Sequence, residues 1–398
     1  MKIFICFSLL FSFCFSNPEK EYEIFNFNRT SMVVEIPIDN LNLSNSNFST
    51  TRLTIDTMSF YTKLFQEYIN DINNIDLGQL KAISSVNTYR SFRGAEIEGN
   101  FTKYKSSFPF VIFTEFNFNE KRYIQNLQNN SCGSLGLARV YSPDVLVGEK
   151  YFFGVGEKYS FINYLFRENA YPKRIFSVYK DNFIIGKSFI DTNNNSVIGT
   201  KCFCQDNLEY SYTFFFWNCE VSKVEVLGKQ MTISQTLIID SLLKGVIFPY
   251  KVLYEMISPI SKLTNDKCKV EDRIKCDKNV DISIFGSMTI TFVTNYTIEL
   301  NLTNFFYFDE NKNSYDSYME FSQYSEAITI GKWIFEKYYV EFNKDENYLA
   351  LASLDKVKIE LKSLNSNNRI IIQILIFVNI GLMVLCLLYY MSIFKYFD

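Results

Sequence analysis

The side chains that could carry out acid/base chemistry in this chain are limited, because it contains no histidine. Catalysis by Ser-His-Asp or Cys-His groups and zinc binding by histidine are therefore excluded. Carboxylates, lysines, tyrosines and cysteines remain as possible acids and bases. Among the carboxylates, Asp56 and Asp240 each end a short apolar run and precede a hydroxyl residue, Thr57 or Ser241.

These two aspartates belong to a pattern that occurs once in each half of the chain. Residues 52–59 are RLTIDTMS and residues 235–243 are QTLIIDSLL. Each segment is followed much later by an apolar run that ends in glycine, SLG at 134–136 and ITIG at 328–331. A single aspartate at a strand end is usually a turn residue, but the repetition favours a functional pair.

On these segments the chain resembles the pepsin-like aspartic proteases. Residues 330–343, IGKWIFEKYYVEFN, are similar to the last-lobe pattern of that family, although Lys332 replaces its usual aspartate. Residues 132–138, CGSLGLA, are similar to the family's Asp-Gly-Ile-Leu-Gly-Leu segment. The resemblance implies an all-β, pepsin-like bilobed acid-protease fold, with an N-terminal β lobe at residues 17–180 and a C-terminal β lobe at 181–361.

Composition and local patterns also predict a β-rich fold. Aromatic residues make up 17% of the chain, and aromatic and β-branched residues favour strands. Short apolar or alternating runs bounded by turn residues predict strands, for example at residues 32–38, 108–113, 288–293 and 338–342. Helical periodicity is confined to a few segments, such as residues 161–167 and 250–257.

The resemblance implies that Asp56 and Asp240 face each other across the cleft between the lobes and hold a water. Two carboxylates that lie so close to each other cannot both be ionised without a large cost in free energy, so the pair shares a proton. One then acts as base on the water and the other as acid on the carbonyl of a polypeptide substrate, with no metal or cofactor. Thr57 and Ser241 match hydroxyl residues that link the two active-site loops, and Ser59 matches one that bonds the first aspartate.

Departures from the family pattern leave catalysis open. Glycine normally follows the Asp-Thr/Ser pair, because its N–H must approach a carboxylate with no side chain in the way. Met58 and Leu242 replace these glycines, and their side chains would crowd the pair or push the loops apart. Tyr89 is the nearest candidate for the flap over the substrate, at an unusual spacing from Gly94. The chain is therefore either an aspartic endopeptidase or an inactive homologue that binds peptides in the same cleft.

Both ends of the sequence favour a membrane-anchored protein of the secretory pathway. Residues 1–16 have the pattern of a cleavable signal peptide. Residues 370–391 are uncharged and apolar over a length that can span a bilayer, although a buried helix or a removed lipid-anchor signal is an alternative. We expect a type I single-pass protein at the cell surface or an endolysosomal or vacuolar membrane, with a stalk at 362–369 and a cytosolic tail at 392–398.

The charge and the cysteine content limit the possible partners and disulfides. A net charge of -3 without a basic block argues against a nucleic-acid partner. We expect the protein to be a monomer. Eight Asn-x-Ser/Thr sequons make N-glycosylation possible.

Six cysteines remain outside the terminal segments, an even number that is consistent with three disulfides. They are Cys132, Cys202, Cys204, Cys219, Cys268 and Cys276. Cys268 and Cys276, which enclose a short polar loop, are the favoured pair, and the other four admit three pairings.

Overall fold

The fold is described from a computed structural model of the chain. The described residues are 22–36, 38–39, 51–58, 62–65, 82–86, 90–101, 108–118, 131–139, 160–190, 199–204, 216–232, 236–323 and 325–357. They all fall within one compact unit, residues 1–357. The predicted signal peptide at 1–16, the stalk at 362–369 and the apolar segment at 370–391 lie outside them.

The described part of the chain is mostly β-sheet, as the composition predicts. The strands of its first half are β1 (Glu23–Asn28), β2 (Val33–Glu35), β3 (Ile38–Asp39), β4 (Arg52–Asp56), β5 (Lys63–Phe65), β6 (Ala82–Val86), β7 (Arg90–Phe101), β8 (Phe108–Phe118), β9 (Gly133–Gly136), β10 (Ile175–Tyr179) and β11 (Asn182–Ile185). Helix α1 (Phe161–Arg167) precedes β10 and coincides with the predicted helix.

The second half adds further strands and two helices. The strands are β12 (Gly199–Phe203), β13 (Asn218–Val226), β14 (Lys229–Gln230), β15 (Thr236–Ile239), β16 (Val246–Pro249), β17 (Cys268–Val270), β18 (Arg273–Asp277), β19 (Ser287–Phe292), β20 (Thr297–Asn301), β21 (Phe306–Asp309), β22 (Ser314–Ser322), β23 (Ile328–Ile330), β24 (Tyr338–Asn343) and β25 (Tyr348–Ser353). The helices are α2 (Tyr250–Thr264) and the short α3 (Ile334–Lys337), and 3-10 turns occur at Ile282–Phe285 and Leu302–Phe305.

The described strands form two mixed sheets. The first has the order β12-β25-β24-β10-β11-β1-β2-β4-β9-β5-β8-β7-β3, with β6 paired to β7. The second has the order β17-β18-β22-β16-β23-β15-β13-β19-β20, with β14 on β13 and β21 on β22. The last two strands of the unit, β24 and β25, join the first sheet through β10 and β12.

One arrangement of four strands occurs in both sheets. In the first, β4 lies parallel to β9, β9 antiparallel to β5, and β5 parallel to β8. In the second, β15 lies parallel to β23, β23 antiparallel to β16, and β16 parallel to β22. The internal repeat expected from the sequence is therefore present in the strand topology, and it places Asp56 and Asp240 at equivalent ends of β4 and β15.

A cluster of aromatic side chains packs between β10, β24 and the segment that leads into β13. Phe176 of β10 stacks on Phe342 of β24 with ring centroids 4.5 Å apart, and Trp217 contacts both rings edge-on. The indole N–H of Trp217 donates to the backbone oxygen of Leu137, which follows β9. All six residues of β24 are buried, so this strand is covered on both faces. These contacts join the segment that leads into β13 to β10, to β24 and to the residue that follows β9.

Helix α2 is longer than the predicted 250–257 segment because it continues through Pro259. A proline has no N–H to bond the carbonyl four residues earlier, which here belongs to Glu255. The Lys229 ammonium lies 3.4 Å from that carbonyl oxygen and donates to it. The apolar face of the helix, including Val252, is buried against the second sheet.

Most predicted strands are present with shifted ends. The 32–38 segment is divided into β2 and β3, and β8 runs five residues beyond the predicted end at 113. Within the residues described here, no helix is long and apolar enough to cross a bilayer.

Candidate active site

The two aspartates lie at the ends of equivalent strands and are almost fully buried. Asp56 is the last residue of β4, opposite Gly136 of the parallel strand β9. Asp240 directly follows β15, and its N–H donates to Ile330 of the parallel strand β23. The exposed fractions of Asp56 and Asp240 are 1% and 4%. Burying two carboxylates costs free energy unless partners compensate, so their contacts determine what this site can do.

Reciprocal hydrogen bonds join the two aspartate loops, which we define as residues 56–58 and 240–242. The Thr57 hydroxyl donates to the backbone oxygen of Ile239 at 2.8 Å, and the Ser241 hydroxyl donates to that of Ile55 at 2.7 Å. In return, the N–H of Thr57 donates to the Ser241 hydroxyl and the N–H of Ser241 donates to the Thr57 hydroxyl, both at 3.0 Å. All of these groups are buried. The arrangement fixes the loops against each other through the Thr57 and Ser241 hydroxyls.

Each aspartate also accepts a hydrogen bond from the backbone N–H two residues later, at the position where the resembled family has glycine. The N–H of Met58 lies 3.1 Å from Asp56 Oδ1, and the N–H of Leu242 lies 2.9 Å from Asp240 Oδ1. Met58 packs in a small buried cluster with Phe216, Ile238 and Ala327. The side chain at the first glycine position is therefore accommodated among apolar neighbours, and the hydrogen bonds that join the loops are kept.

Glycines beside the aspartate loops are required by close backbone contacts. A Cβ on Gly331 would lie 2.1 Å from the backbone oxygen of Leu243, and one on Gly245 would lie 1.8 Å from that of Tyr318. Both distances are far below van der Waals contact. The glycine that ends the apolar run in the second half of the sequence thus lets the second aspartate loop lie directly against β23.

Lys63 contacts Asp56 and was missed by the sequence analysis. Its ammonium lies 3.1 Å from Asp56 Oδ2, and the side chains of Lys63 and Asp56 are 7% and 1% exposed. The contact depends on β5 folding back onto β9, where Lys63 is opposite Ser134. A Cβ on Gly133 would lie 1.9 Å from the Lys63 backbone oxygen, so glycine is needed for this approach. The signal available in the sequence was a single lysine next to the apolar pair Leu64 and Phe65.

The second half carries an apolar residue at the position equivalent to Lys63. Lys63 is opposite Ser134 in the β5–β9 pair, and Ile247 is opposite Thr329 in the β16–β23 pair. Lys63 and Ile247 each follow their aspartate by seven residues. Ile247 is buried. The two loops are therefore closely similar in their hydrogen bonds, whereas the ammonium at this position occurs on the Asp56 side alone.

Two predicted site residues cannot be compared with the structure. Ser59, expected to bond the first aspartate, and Tyr89, the flap candidate, lie outside the described residues.

The cysteines agree with the prediction for one pair and correct the expected number of disulfides. Cys268 and Cys276 are bonded, as predicted, across the antiparallel β17–β18 pair. Cys202 of β12 is bonded to Cys219 of β13, which selects one of the three open pairings. The described part of the chain thus holds two disulfides rather than three, because Cys132 and Cys204 are buried thiols beside β9 and β12, which are not neighbouring strands. Burial raises the pKa of the Cys132 thiol.

A comparison of the chain with models of known protein families finds no match, and a comparison with curated proteins finds none either.

Proposed function

We propose that the chain is a pepsin-like aspartic endopeptidase that hydrolyses peptide bonds with a water activated between Asp56 and Asp240. The observation that carries the proposal is the set of reciprocal hydrogen bonds between Thr57 and Ser241. These bonds place two buried carboxylates on adjoining loops of equivalent structure. Two carboxylates on a common site provide an acid and a base without histidine or a metal.

The bilobed acid-protease fold is part of the same proposal. It is supported by the four-strand arrangement that occurs once around β4 and once around β15. Under this proposal each arrangement supplies one aspartate, and an extended polypeptide substrate lies in the cleft between the two lobes. Under the same proposal the N-terminal lobe ends at residue 180 and the C-terminal lobe comprises residues 181–361. The apolar segment at residues 370–391 would anchor the enzyme in a membrane of the secretory pathway.

The proposed reaction needs one ionised and one protonated carboxyl. The ionised aspartate takes a proton from the water as its oxygen bonds to the scissile carbonyl carbon. The protonated aspartate gives its proton to the carbonyl oxygen, so a neutral gem-diol forms and the carboxyls exchange protonation states. Collapse then breaks the C–N bond, with one proton returned to the nitrogen and one taken from a hydroxyl of the diol. The carboxyls return to their starting states.

A second candidate function is a peptide-binding protein without turnover. It is favoured by the ion pair between Lys63 and Asp56, which occupies one oxygen of an aspartate that must accept a proton. Met58 and Leu242, both buried, also stand at the two positions where the resembled family has glycine. The two functions share the same site and differ in whether a bound peptide is cut.

Cleavage of a mixed peptide library by the full chain, purified in detergent, distinguishes the two functions. Products are identified by mass spectrometry between pH 3 and 7. The proposal predicts cleavage by the wild type and its loss in Asp56→Asn and Asp240→Asn, with Asp277→Asn as an exposed control. Peptide binding without products at any pH, in wild type and variants alike, would establish the second function instead.

A further inference from the structure

A cavity lies in the first sheet region, between the turn after β11, strand β12 and the start of β25. Its volume is about 400 Å³, and sites that bind small molecules usually measure about 300–1,000 Å³. Neither aspartate loop lines it. Its polar lining residues include Lys173, Lys187, Ser188, Lys201, Glu346 and Tyr348.

The charged groups that line this cavity are mostly cationic. Its three lysines contribute three positive charges and Glu346 contributes one negative charge, which leaves a net charge of +2. The carboxylate of the nearby Asp345 pairs with Arg174 at 2.6 Å, so its charge is compensated. A concave site surrounded by ammonium groups attracts anions, and it attracts multiply charged anions most strongly.

The floor of the cavity holds Lys201 in a fixed place. The half-buried Lys201 ammonium lies over the Tyr348 ring, 4.6 Å from its centre. The Tyr348 hydroxyl donates to Glu341 Oε1 at 2.8 Å. The other oxygen of this buried carboxylate accepts from the Tyr339 hydroxyl and the Phe189 N–H. Burial and the Glu341 carboxylate raise the pKa of Tyr348, so its ring stays neutral beneath the lysine.

The turn after β11 places two more lining residues. Gly186 begins this turn with a φ of +100°, a conformation that favours glycine. The ammonium of the next residue, Lys187, lies over the Tyr22 ring at 5.5 Å from its centre. The Ser188 hydroxyl lies 3.5 Å from that of Tyr348. Contacts within the folded unit therefore position these residues before any ligand binds.

We propose that this cavity binds a small organic anion with at least two negative charges, of the phosphate ester or polycarboxylate class. The ammonium groups of the three lysines pair with the charges of the ligand, since lysine binds phosphate and carboxylate groups as a point charge. The buried side chains of Ile190 and Tyr348 offer a surface for its carbon skeleton. This site is separate from the aspartate loops, so the inference does not depend on the proposed function.

Isothermal titration calorimetry of the full chain in detergent, at pH 7 and constant ionic strength, tests the inference. The probes are inorganic pyrophosphate and citrate, which separate a preference for phosphate from one for carboxylate. Binding should weaken at least about tenfold in Lys201→Gln and should persist in Lys201→Arg. Lys173→Gln, at an exposed position, should also weaken binding, and the exposed Lys262→Gln of α2 is the matched control. Glu346→Gln should strengthen binding, because it removes the negative charge of the lining.

Thermal unfolding without the probes shows which variants are folded, and Lys173→Gln decides the test if Lys201→Gln is not. Equal affinities of the wild type and the folded Lys201→Gln or Lys173→Gln variant would overturn the inference. Heats no larger than those of sodium chloride at the same ionic strength would also overturn it. Asp56→Asn and Asp240→Asn should bind both probes as the wild type does. Loss of binding in these two variants would place the anion at the aspartate loops and contradict a separate site.

Discussion

Thr57 and Ser241 each donate a hydroxyl hydrogen bond to the main chain that leads to the other's aspartate. The acceptors are the backbone oxygens of Ile239 and Ile55, at 2.8 and 2.7 Å. Residues 182 and 186 positions apart in the sequence are joined in this way. The position of one carboxylate relative to the other therefore depends on two short side chains.

Replacing Thr57 by valine should reduce both stability and activity. Valine has a similar shape but leaves the Ser241 N–H and the Ile239 oxygen without the hydroxyl that they contact. A buried polar group that loses its partner costs about 1–3 kcal/mol, and a small displacement of the loops lowers kcat further. Urea unfolding and kcat measure the two effects. Thr297→Val, on an exposed strand face, is the control and should change the free energy of unfolding by less than about 0.5 kcal/mol. Equal effects of the two substitutions would show that the contact is not important.

Replacing Met58 by glycine should destabilise the chain without abolishing the Asp56 contact. The side chain is 5% exposed and packs with Phe216, Ile238 and Ala327, so its removal should cost about 2–5 kcal/mol. The hydrogen bond to Asp56 comes from the backbone N–H and survives. Met58→Leu, which keeps the volume, should cost less than about 1.5 kcal/mol. A more stable Met58→Gly protein would mean that the methionine is strained rather than packed.

Alanine at Gly331 or Gly245 should disrupt the second aspartate loop. The added Cβ would lie about 2 Å from the backbone oxygen of Leu243 or Tyr318, and overpacking of this kind costs about 1–3 kcal/mol or more. Gly228→Asn is the control. Nothing lies within 4 Å of the added Cβ there, and asparagine tolerates its positive φ at a cost of about 1 kcal/mol. Thermal unfolding of the three variants should show the largest loss at the two loop glycines, and unaltered melting of both would contradict the close packing.

Cysteine labelling should separate the buried thiols from the disulfides. Alkylation of the unreduced native protein should be slow at Cys132, because burial both shields the thiol and raises its pKa, so that little thiolate is present. After unfolding without a reductant, Cys132 and Cys204 should react. Peptide mass spectrometry should find Cys202, Cys219, Cys268 and Cys276 unlabelled until a reductant is added. A bond between Cys132 and Cys204 would restore the three-disulfide expectation.

The sequence predicted the parts of the site that are encoded locally and repeated. The strand ends at Asp56 and Asp240, and the hydroxyl residues Thr57 and Ser241, could be inferred because the same short pattern occurs in both halves. Lys63 could not, since its role depends on β5 folding back on β9 after a reversal of the chain. Nothing in the local pattern distinguishes such a lysine from one that points to solvent.

Contacts between residues that are distant in the sequence account for the other differences between prediction and structure. The Cys202–Cys219 bond depends on two strands brought together by the fold, so the spacing of the cysteines could not select it. Helix α2 continues past Pro259, and the carbonyl of Glu255 that proline cannot bond accepts from Lys229 of β14, which is distant in the sequence. Helical periodicity correctly placed α1, whose N-terminus is capped by the Ser160 hydroxyl accepting from the Asn163 N–H.

The most direct test of the endopeptidase proposal is the kinetics of the aspartate variants on the best-cleaved peptide of the library. The full chain is compared with Asp56→Asn and Asp240→Asn at the pH of maximal activity. The proposal predicts that kcat falls by at least about a hundredfold in each variant, since each removes an acid or base used in the transition state, while KM changes little. A folded variant of either aspartate that keeps kcat within about threefold of the wild type would contradict the proposal.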